Sequence, residues 1–173
     1  KAPPSYPVPC YAVEQRGHRL LVTQKPPKPA APAPSTASAP SSVIIVGGGA
    51  AGFAAAEMLR RQGYQHSVTV ISADDAGPYD RPNISKDYLA GNAPEEWIPL
   101  RPPEFYREQK IDACANTSVT GVDPKAKKVT LSNGRSLGYG ALLLATGADP
   151  VQLTIPGADL PHVFYLRTLA DCR

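Results

Sequence analysis

The segment from Val43 to Gly52, with the sequence VIIVGGGAAG, constrains the fold of this chain more than any other. A short run of β-branched residues leads into Gly47, Gly49 and Gly52, and an alanine-rich stretch follows. Strand, glycine turn and helix in this order predict a βαβ unit that binds a dinucleotide. Gly47 is expected to allow the tight turn, Gly49 to let a pyrophosphate approach the backbone, and Gly52 to let the helix pack closely. The backbone amides and the positive end of the helix dipole would hold the phosphates.

The remaining sequence predicts further elements of an α/β fold. The helix is expected from about Ala50 to Gln62, with Gly63 capping its C-terminus, and a second strand at Val68–Ile71. The apolar run 141–145 predicts a strand in the middle of a parallel sheet. Other expected elements are a loop at 72–83, short helical pieces at 85–90 and 104–109, strands at 111–114 and 118–122, and a hairpin of 128–131 with 136–137 around the Asn133–Gly134 turn.

A proline-, alanine- and serine-rich segment, residues 25–42, divides the chain. Its composition predicts an extended linker of polyproline type. Before it, residues 11–14 and 19–22 flank a short polar turn and predict a β-hairpin. Because an isolated hairpin is marginal in water, residues 1–24 are interpreted as the tail of an upstream β domain, and residues 43–173 as the dinucleotide-binding domain.

Composition limits the classes of function. The net charge is only +3 and the basic residues are scattered, so a nucleic-acid partner is not expected. No apolar run approaches the ~20 residues of a membrane span, and no secretory signal is visible, so a cytoplasmic location is expected. Cys10, Cys114 and Cys172 lie far apart without a CxxC motif. They are interpreted as reduced thiols, and no metal site is expected.

Charged residues after the second strand are the candidate ligand contacts. An acid is expected there, about twenty residues beyond the glycines, to accept hydrogen bonds from a ribose. Asp74 or Asp75 can fill this role; Asp74 is favoured by its position, and the alternative is that both are ordinary turn residues. Farther on, Arg81 can clamp a phosphate and Lys86 can act as a point charge, unless they are solvated surface cations.

Five segments together resemble the FAD domain of ferredoxin reductases: VIIVGGGAAG, GPYDRPNISKDYL, WIPLRPPEFYREQKID, LLLATGADP and VFYLRTLAD. The chain is most similar to the apoptosis-inducing-factor-like, Rieske-fused branch of the pyridine nucleotide-disulfide oxidoreductase class, over residues 43–173. The resemblance implies a Rossmann-like FAD-binding domain that is incomplete here, cut before its NAD(P)-binding domain. The hairpin before the linker resembles the last strands of a Rieske domain.

The resemblance also implies a set of FAD contacts. The glycine turn would hold the pyrophosphate, the acid after the second strand the adenosine ribose, and the two cations the flavin nucleotide. Lys86 would lie near the reactive part of the isoalloxazine and is the candidate catalytic residue. The implied cofactor-binding residues are Gly47, Gly48, Gly49, Ala50, Ala51, Gly52, Ala73, Asp74, Arg81, Lys86, Val119, Ala145, Thr146, Gly147 and Arg167. Asn83-Ile84 replaces the usual Pro-Leu of the loop, and the acid is Asp where Glu is usual.

The implied activity is transfer of a hydride from NAD(P)H to flavin, and of single electrons to an iron–sulfur acceptor, fused or separate. NAD(P)H would bind to a later domain, and a [2Fe-2S] centre would belong to an upstream one. Two alternatives remain. The chain can be a non-catalytic FAD-binding module, or its glycine turn can bind NAD without flavin, although Arg81 and Lys86 argue against the latter.

Overall fold

The computed structural model describes residues 11–22 and 39–173. Most of the predicted linker and Cys10 lie outside the described residues. The predicted hairpin is present: β1 (Val13–Arg16) pairs antiparallel with β2 (Arg19–Val22). Its turn is shorter than predicted because Gly17, with a φ of +59°, reverses the chain together with His18 alone. The first strand therefore continues to Arg16, two residues beyond its predicted end, and it begins at Val13, two residues after its predicted start.

The larger part of the structure has a mixed α/β architecture. In chain order its strands and α-helices are β3 (Ser42–Val46), α1 (Ala50–Arg61), β4 (Ser67–Ile71), α2 (Arg81–Ile84), α3 (Pro103–Glu108), β5 (Ile111–Cys114), β6 (Val119–Asp123), β7 (Lys128–Leu131), β8 (Ser136–Gly138) and β9 (Ala141–Leu144). Short 3₁₀ helices occur at Glu95–Trp97 and Ala170–Cys172. The predicted α/β, Rossmann-like class is confirmed.

A four-stranded parallel sheet, in the order β5-β4-β3-β9, forms the middle layer. Strand β3 is buried on both faces, which explains its uninterrupted apolar sequence. Val43 and Ile45 pack with Ala56 of α1 on one face. Ile44 and Val46 face the opposite way.

The second face of this sheet is covered by an antiparallel sheet of β6, β7 and β8. Val129 and Leu131 of β7 point inward and form a core with Ile44 and Val46 of β3. Alternation along β7 is regular, since Lys128 and Thr130 are exposed. The domain therefore has three layers: helices, parallel sheet and antiparallel sheet.

The prediction that residues 141–145 lie in the middle of the sheet is wrong for the described residues. Strand β9 pairs only with β3 and forms an edge of the sheet. Leu143 and Leu144 are accordingly 39% and 61% exposed. An apolar sequence indicates burial but does not give the number of neighbouring strands.

The segment after β4 also differs from expectation. Residues 81–83, predicted as the end of a loop, form the short helix α2 together with Ile84, while residues 85–90, predicted as helical, form turns. Pro82 explains the shift, because proline favours the first turn of a helix and here stands at its start. Helix α1 ends one residue earlier than predicted, with Gly63 in the left-handed conformation after it.

A third, smaller core anchors the loop that precedes α2. Tyr79, Ile84, Ile98 and Leu169 are buried together, so residues far apart in sequence fix this loop against the end of the chain. Within residues 11–22 and 39–173, no helix has the length and apolar character needed to cross a bilayer.

Candidate nucleotide-binding site

A cavity of about 560 Å³ opens at the carboxyl ends of the parallel strands. The turns that follow β3, β4 and β9 all contribute to its walls. The chain leaves β3 toward β4 on one side and reaches β9 on the other, so the cavity lies where the strand order reverses. Ligands of open α/β sheets bind at such a reversal.

Close packing makes glycine obligatory at two positions of the first turn. Gly47 has a φ of +117°, and a Cβ there would lie 2.1 Å from the carbonyl oxygen of Ala145. A Cβ on Gly52 would lie 1.9 Å from the carbonyl oxygen of Gly47. The first glycine therefore permits the turn against the β9 end, and the second permits the helix to approach that turn, as the sequence predicted.

The start of α1 presents unpaired backbone amides to the cavity. The first helical hydrogen bond runs from Phe53 N to Gly49 O, at 2.9 Å, so the amides of residues 50–52 have no partner within the helix. Ala50 and Ala51 line the cavity, and the first turn of α1 contains no acidic residue that would neutralise its positive end. This arrangement suits an anion.

Asp74 lies on the cavity wall two residues beyond Ser72. Its backbone is held on both sides: Asp74 N donates to Ser72 Oγ at 3.2 Å, and Asn116 N donates to Asp74 O at 2.9 Å. Asp75 does not line the cavity and instead pairs with Arg173 at 3.0 Å. The structure thus separates the two acids that the sequence left as alternatives.

The guanidinium of Arg81 joins two walls of the cavity. Its Nη2 lies 2.5 Å from Asp74 Oδ2, and its Nη1 donates to the carbonyl oxygen of Arg167 at 2.6 Å. The same group lies 4.9 Å from the ring centre of Tyr79. A guanidinium has five N–H groups, so Arg81 retains donors for a ligand after these two bonds.

The third wall follows β9. Ala145 N donates to Val46 O at 2.8 Å and extends the pairing with β3 into the turn. Gly147 has a φ of +76°, and the space beside its Cα is occupied by the guanidinium of Arg167. Ala145, Thr146, Gly147 and Arg167 all line the cavity.

The structure brings together all but two of the residues that the resemblance implied. Those lining the cavity are Gly47, Gly48, Gly49, Ala50, Ala51, Ala73, Asp74, Arg81, Val119, Ala145, Thr146, Gly147 and Arg167. Gly52 is buried behind the turn and acts through packing. Lys86 lies outside the lining, on an exposed turn after α2.

Sequence reasoning missed several lining residues. Ser72, Thr117 and Ser118 contribute to the walls, together with the strand ends Val46 and Ile71. Ser72 could have been found, because it directly follows a buried parallel strand on the side where ligands bind. Thr117 and Ser118 precede an antiparallel strand, and no motif marks them.

The cavity fits a nucleotide that carries a pyrophosphate. A Cβ built on Gly49 meets no atom within 4 Å, so this glycine leaves open space beside the helix start. Unpaired amides face that space, while Asp74 supplies an acceptor and Arg81 a cation on the adjacent walls. An open backbone surface at a helix N-terminus accepts phosphate, and a nearby carboxylate accepts hydrogen bonds from ribose.

Fold and site together define a dinucleotide-binding domain of the Rossmann type. The family model of the pyridine nucleotide-disulphide oxidoreductases matches residues 41–173. The chain therefore belongs to the pyridine nucleotide-disulphide oxidoreductase family.

Similar proteins agree with this assignment. A ferredoxin–NAD(P)(+) reductase from Sphingomonas sp is 40% identical over 69% of this chain and 29% of its own length. Apoptosis-inducing factor 3 from Mus musculus is also 40% identical, over 69% of this chain and 19% of its own length. A crystal structure of the covalent putidaredoxin reductase–putidaredoxin complex superposes with a TM-score of 0.71, at 38% identity, over 76% of this chain and 32% of that one. The chain spans about a third or less of the curated relatives it matches.

Proposed function

We infer that this chain contains part of the FAD-binding domain of an NAD(P)H-dependent reductase that passes electrons to an iron–sulfur protein. The cavity carries the proposal, because it places unpaired helix amides, a carboxylate and two arginines around one open space. Residues 43–173 are assigned to this domain, and the NAD(P)H site to a part of the longer protein beyond them.

Each wall of the cavity has a task in this proposal. The amides at the start of α1 bind the pyrophosphate. Ala73 and Asp74 receive the adenosine ribose, and the backbone at Val119 borders the adenine. Arg81, the turn at 145–147 and Arg167 close the site around the cofactor. FAD, once bound, supplies the chemistry that accepts a hydride and releases electrons singly.

Lys86 retains its proposed place near the isoalloxazine only as a prediction. Lys86 lies on the turn that follows α2, outside the cavity, whereas Arg81 at the start of α2 lines the cavity. A cofactor that extends past Arg81 along α2 would approach Lys86. The proposed Rieske-type origin of the β1–β2 hairpin, with its [2Fe-2S] centre, rests on the resemblance alone.

The relatives support the choice of reaction. One is named for electron transfer between ferredoxin and NAD(P), and another was crystallised with its protein partner putidaredoxin. They align with 69% and 76% of this chain, respectively. We therefore assign the acceptor to the class of small iron–sulfur proteins.

Cofactor reconstitution tests the proposal. The purified chain, incubated with FAD and desalted, is expected to retain flavin absorbance. The full-length protein is expected to lose that absorbance when NADH or NADPH is added without oxygen, and to recover it when oxidised ferredoxin follows. A chain without retained flavin contradicts the assignment of the cavity.

Two other results correspond to the alternatives. Retained flavin that neither nicotinamide nucleotide bleaches in the full-length protein would identify a non-catalytic FAD-binding module. Binding of NAD without any binding of FAD would identify a nicotinamide site at the glycine turn.

A further inference from the structure

Tyr79 lies directly behind the cavity without lining it. It is only 5% exposed and packs with Ile84, Ile98 and Leu169. A buried phenol needs hydrogen-bond partners, because an unpaired hydroxyl in an apolar core costs free energy. The hydrogen bonds of the Tyr79 hydroxyl connect it to Asp74, which lines the cavity.

The hydroxyl of Tyr79 is oriented by a backbone amide. Leu169 N donates to Tyr79 Oη at 3.1 Å, and Tyr79 Oη lies 3.0 Å from Asp74 Oδ2. Since the amide can only donate, the hydroxyl proton is left for the carboxylate. Burial raises the pKa of Tyr79 above its ordinary value of 10.0, which keeps this proton in place at neutral pH.

The ring of Tyr79 positions the second charged residue. The Arg81 guanidinium lies over it, 4.9 Å from the ring centre, in a cation–π contact. Arg81 also reaches the carbonyl oxygen of Arg167, two residues before Leu169. One aromatic side chain thus contacts an acid and a cation of the cavity wall, and it is anchored to the segment that supplies Arg167.

The hydrogen bonds to Asp74 are unevenly distributed between its two oxygens. Tyr79 and Arg81 both donate to Oδ2. Oδ1 receives no hydrogen bond from residues 11–22 or 39–173. The carboxylate is therefore clamped by one oxygen and has the other available to accept a hydroxyl from a ligand.

We propose that Tyr79 is a positioning residue of the nucleotide site, which clamps Asp74 and Arg81 so that the free oxygen of Asp74 selects a ligand with ribose hydroxyls. This role rests on the proposed function, in which Asp74 receives the adenosine ribose. Tyr79 itself touches no ligand and acts through Asp74.

The test compares two ligands on the 173-residue chain. ADP and 2′,3′-dideoxy-ADP share the base and the pyrophosphate, and only ADP has ribose hydroxyls. The wild-type chain is expected to bind ADP about tenfold more tightly than 2′,3′-dideoxy-ADP, as the hydrogen bond to a charged group implies.

Tyr79→Phe retains the ring beneath Arg81 and is expected to reduce this ratio of the two affinities to about threefold or less. Tyr88→Phe is the matched control, because its hydroxyl bonds to Glu95 outside the cavity; it should leave the ratio unchanged.

A double-substitution cycle separates positioning from general support of the fold. In the Asp74→Ala background, Tyr79→Phe is expected to leave ADP affinity unchanged. Equal weakening of both ligands by Tyr79→Phe, or the same loss in the Asp74→Ala background, overturns the role of Tyr79. An unchanged ratio in Tyr79→Phe overturns it too, while retained FAD in the wild-type chain leaves the proposed function standing. A wild-type chain that binds neither FAD nor ADP removes both proposals.

Discussion

A Cβ on Gly52 would lie 1.9 Å from the carbonyl oxygen of Gly47, so α1 and the turn before it are in contact through backbone alone. The Gly52→Ala variant is expected to be destabilised by about 3 kcal/mol or more, because the neighbouring atom belongs to the backbone and cannot move aside. Urea unfolding followed by circular dichroism measures this loss. A variant with wild-type stability would show that the turn can relax.

Gly49→Ala is expected to show the opposite behaviour. A Cβ at this position meets no protein atom within 4 Å, and the φ of −75° is accessible to alanine. Stability should fall by less than about 1 kcal/mol, while FAD affinity should fall by about tenfold or more because the methyl group projects into the space for the pyrophosphate. Fluorescence titration with FAD, alongside unfolding curves, checks both effects. Weak FAD binding in Gly52→Ala with normal binding in Gly49→Ala would contradict this division of roles.

The order of elements around the glycine turn was predictable from sequence. The uninterrupted apolar sequence of Val43–Val46 indicates a strand that is buried on both faces. Gly63, in the left-handed conformation, indicates the end of α1. The edge position of Ala141–Leu144 left no such signal. Strand neighbours are set by distant segments, which an apolar run does not specify.

Part of the candidate site could likewise be predicted from the sequence, and part could not. The glycines, Asp74 and Arg81 could be named because motif spacing and resemblance mark them. The bonds from Arg81 to Asp74 and to Arg167 O span seven and 86 residues, and the second is invisible in local sequence. Lys86 was named by its motif, yet the turns after α2 place it outside the cavity.

Arg81→Lys tests the geometry of the guanidinium rather than its charge. Lysine keeps the positive charge but has no planar fork, so it cannot bond to Asp74 and to the carbonyl of Arg167 in the same way. FAD affinity is expected to fall about tenfold, measured by fluorescence titration. Arg107→Lys is the control, since Arg107 is exposed and pairs with Glu104 three residues away. Equal affinity in Arg81→Lys and wild type would show that charge alone is needed.

Arg101 stabilises the helical layer through a largely buried ion pair. Its Nη2 lies 3.0 Å from Glu57 Oε1, with side-chain exposures of 12% and 17%, and its guanidinium stacks over Phe53 and Phe105. Glu57 Oε1 also lies 3.0 Å from Nη2 of Arg61, so Arg101→Met removes one of two arginines from a poorly solvated carboxylate. The variant is expected to reduce the free energy of unfolding by about 2 kcal/mol, less than the loss for a buried charge without any partner. Arg107→Met, which breaks an exposed pair, should cost less than about 1 kcal/mol. Chemical denaturation of both variants checks the difference, and equal losses would contradict it.

Tyr106 gives the folded chain a sensitivity to alkaline pH. Its hydroxyl is buried without a hydrogen-bond partner among the described residues, and burial raises its pKa from 10.0 to about 12. The unfolded chain loses the phenolic proton first as the pH rises. The free energy of unfolding is therefore unaffected by this ionisation below pH 10 and falls as the pH rises from 10 toward 12.

Tyr106→Phe removes the unpaired hydroxyl and is expected to raise the free energy of unfolding at pH 8 by about 1 kcal/mol. Between pH 10 and 12 its stability should decline less steeply than that of wild type, as followed by urea unfolding across this range. Parallel stability curves for the two proteins would show that Tyr106 ionises equally in the folded and unfolded states.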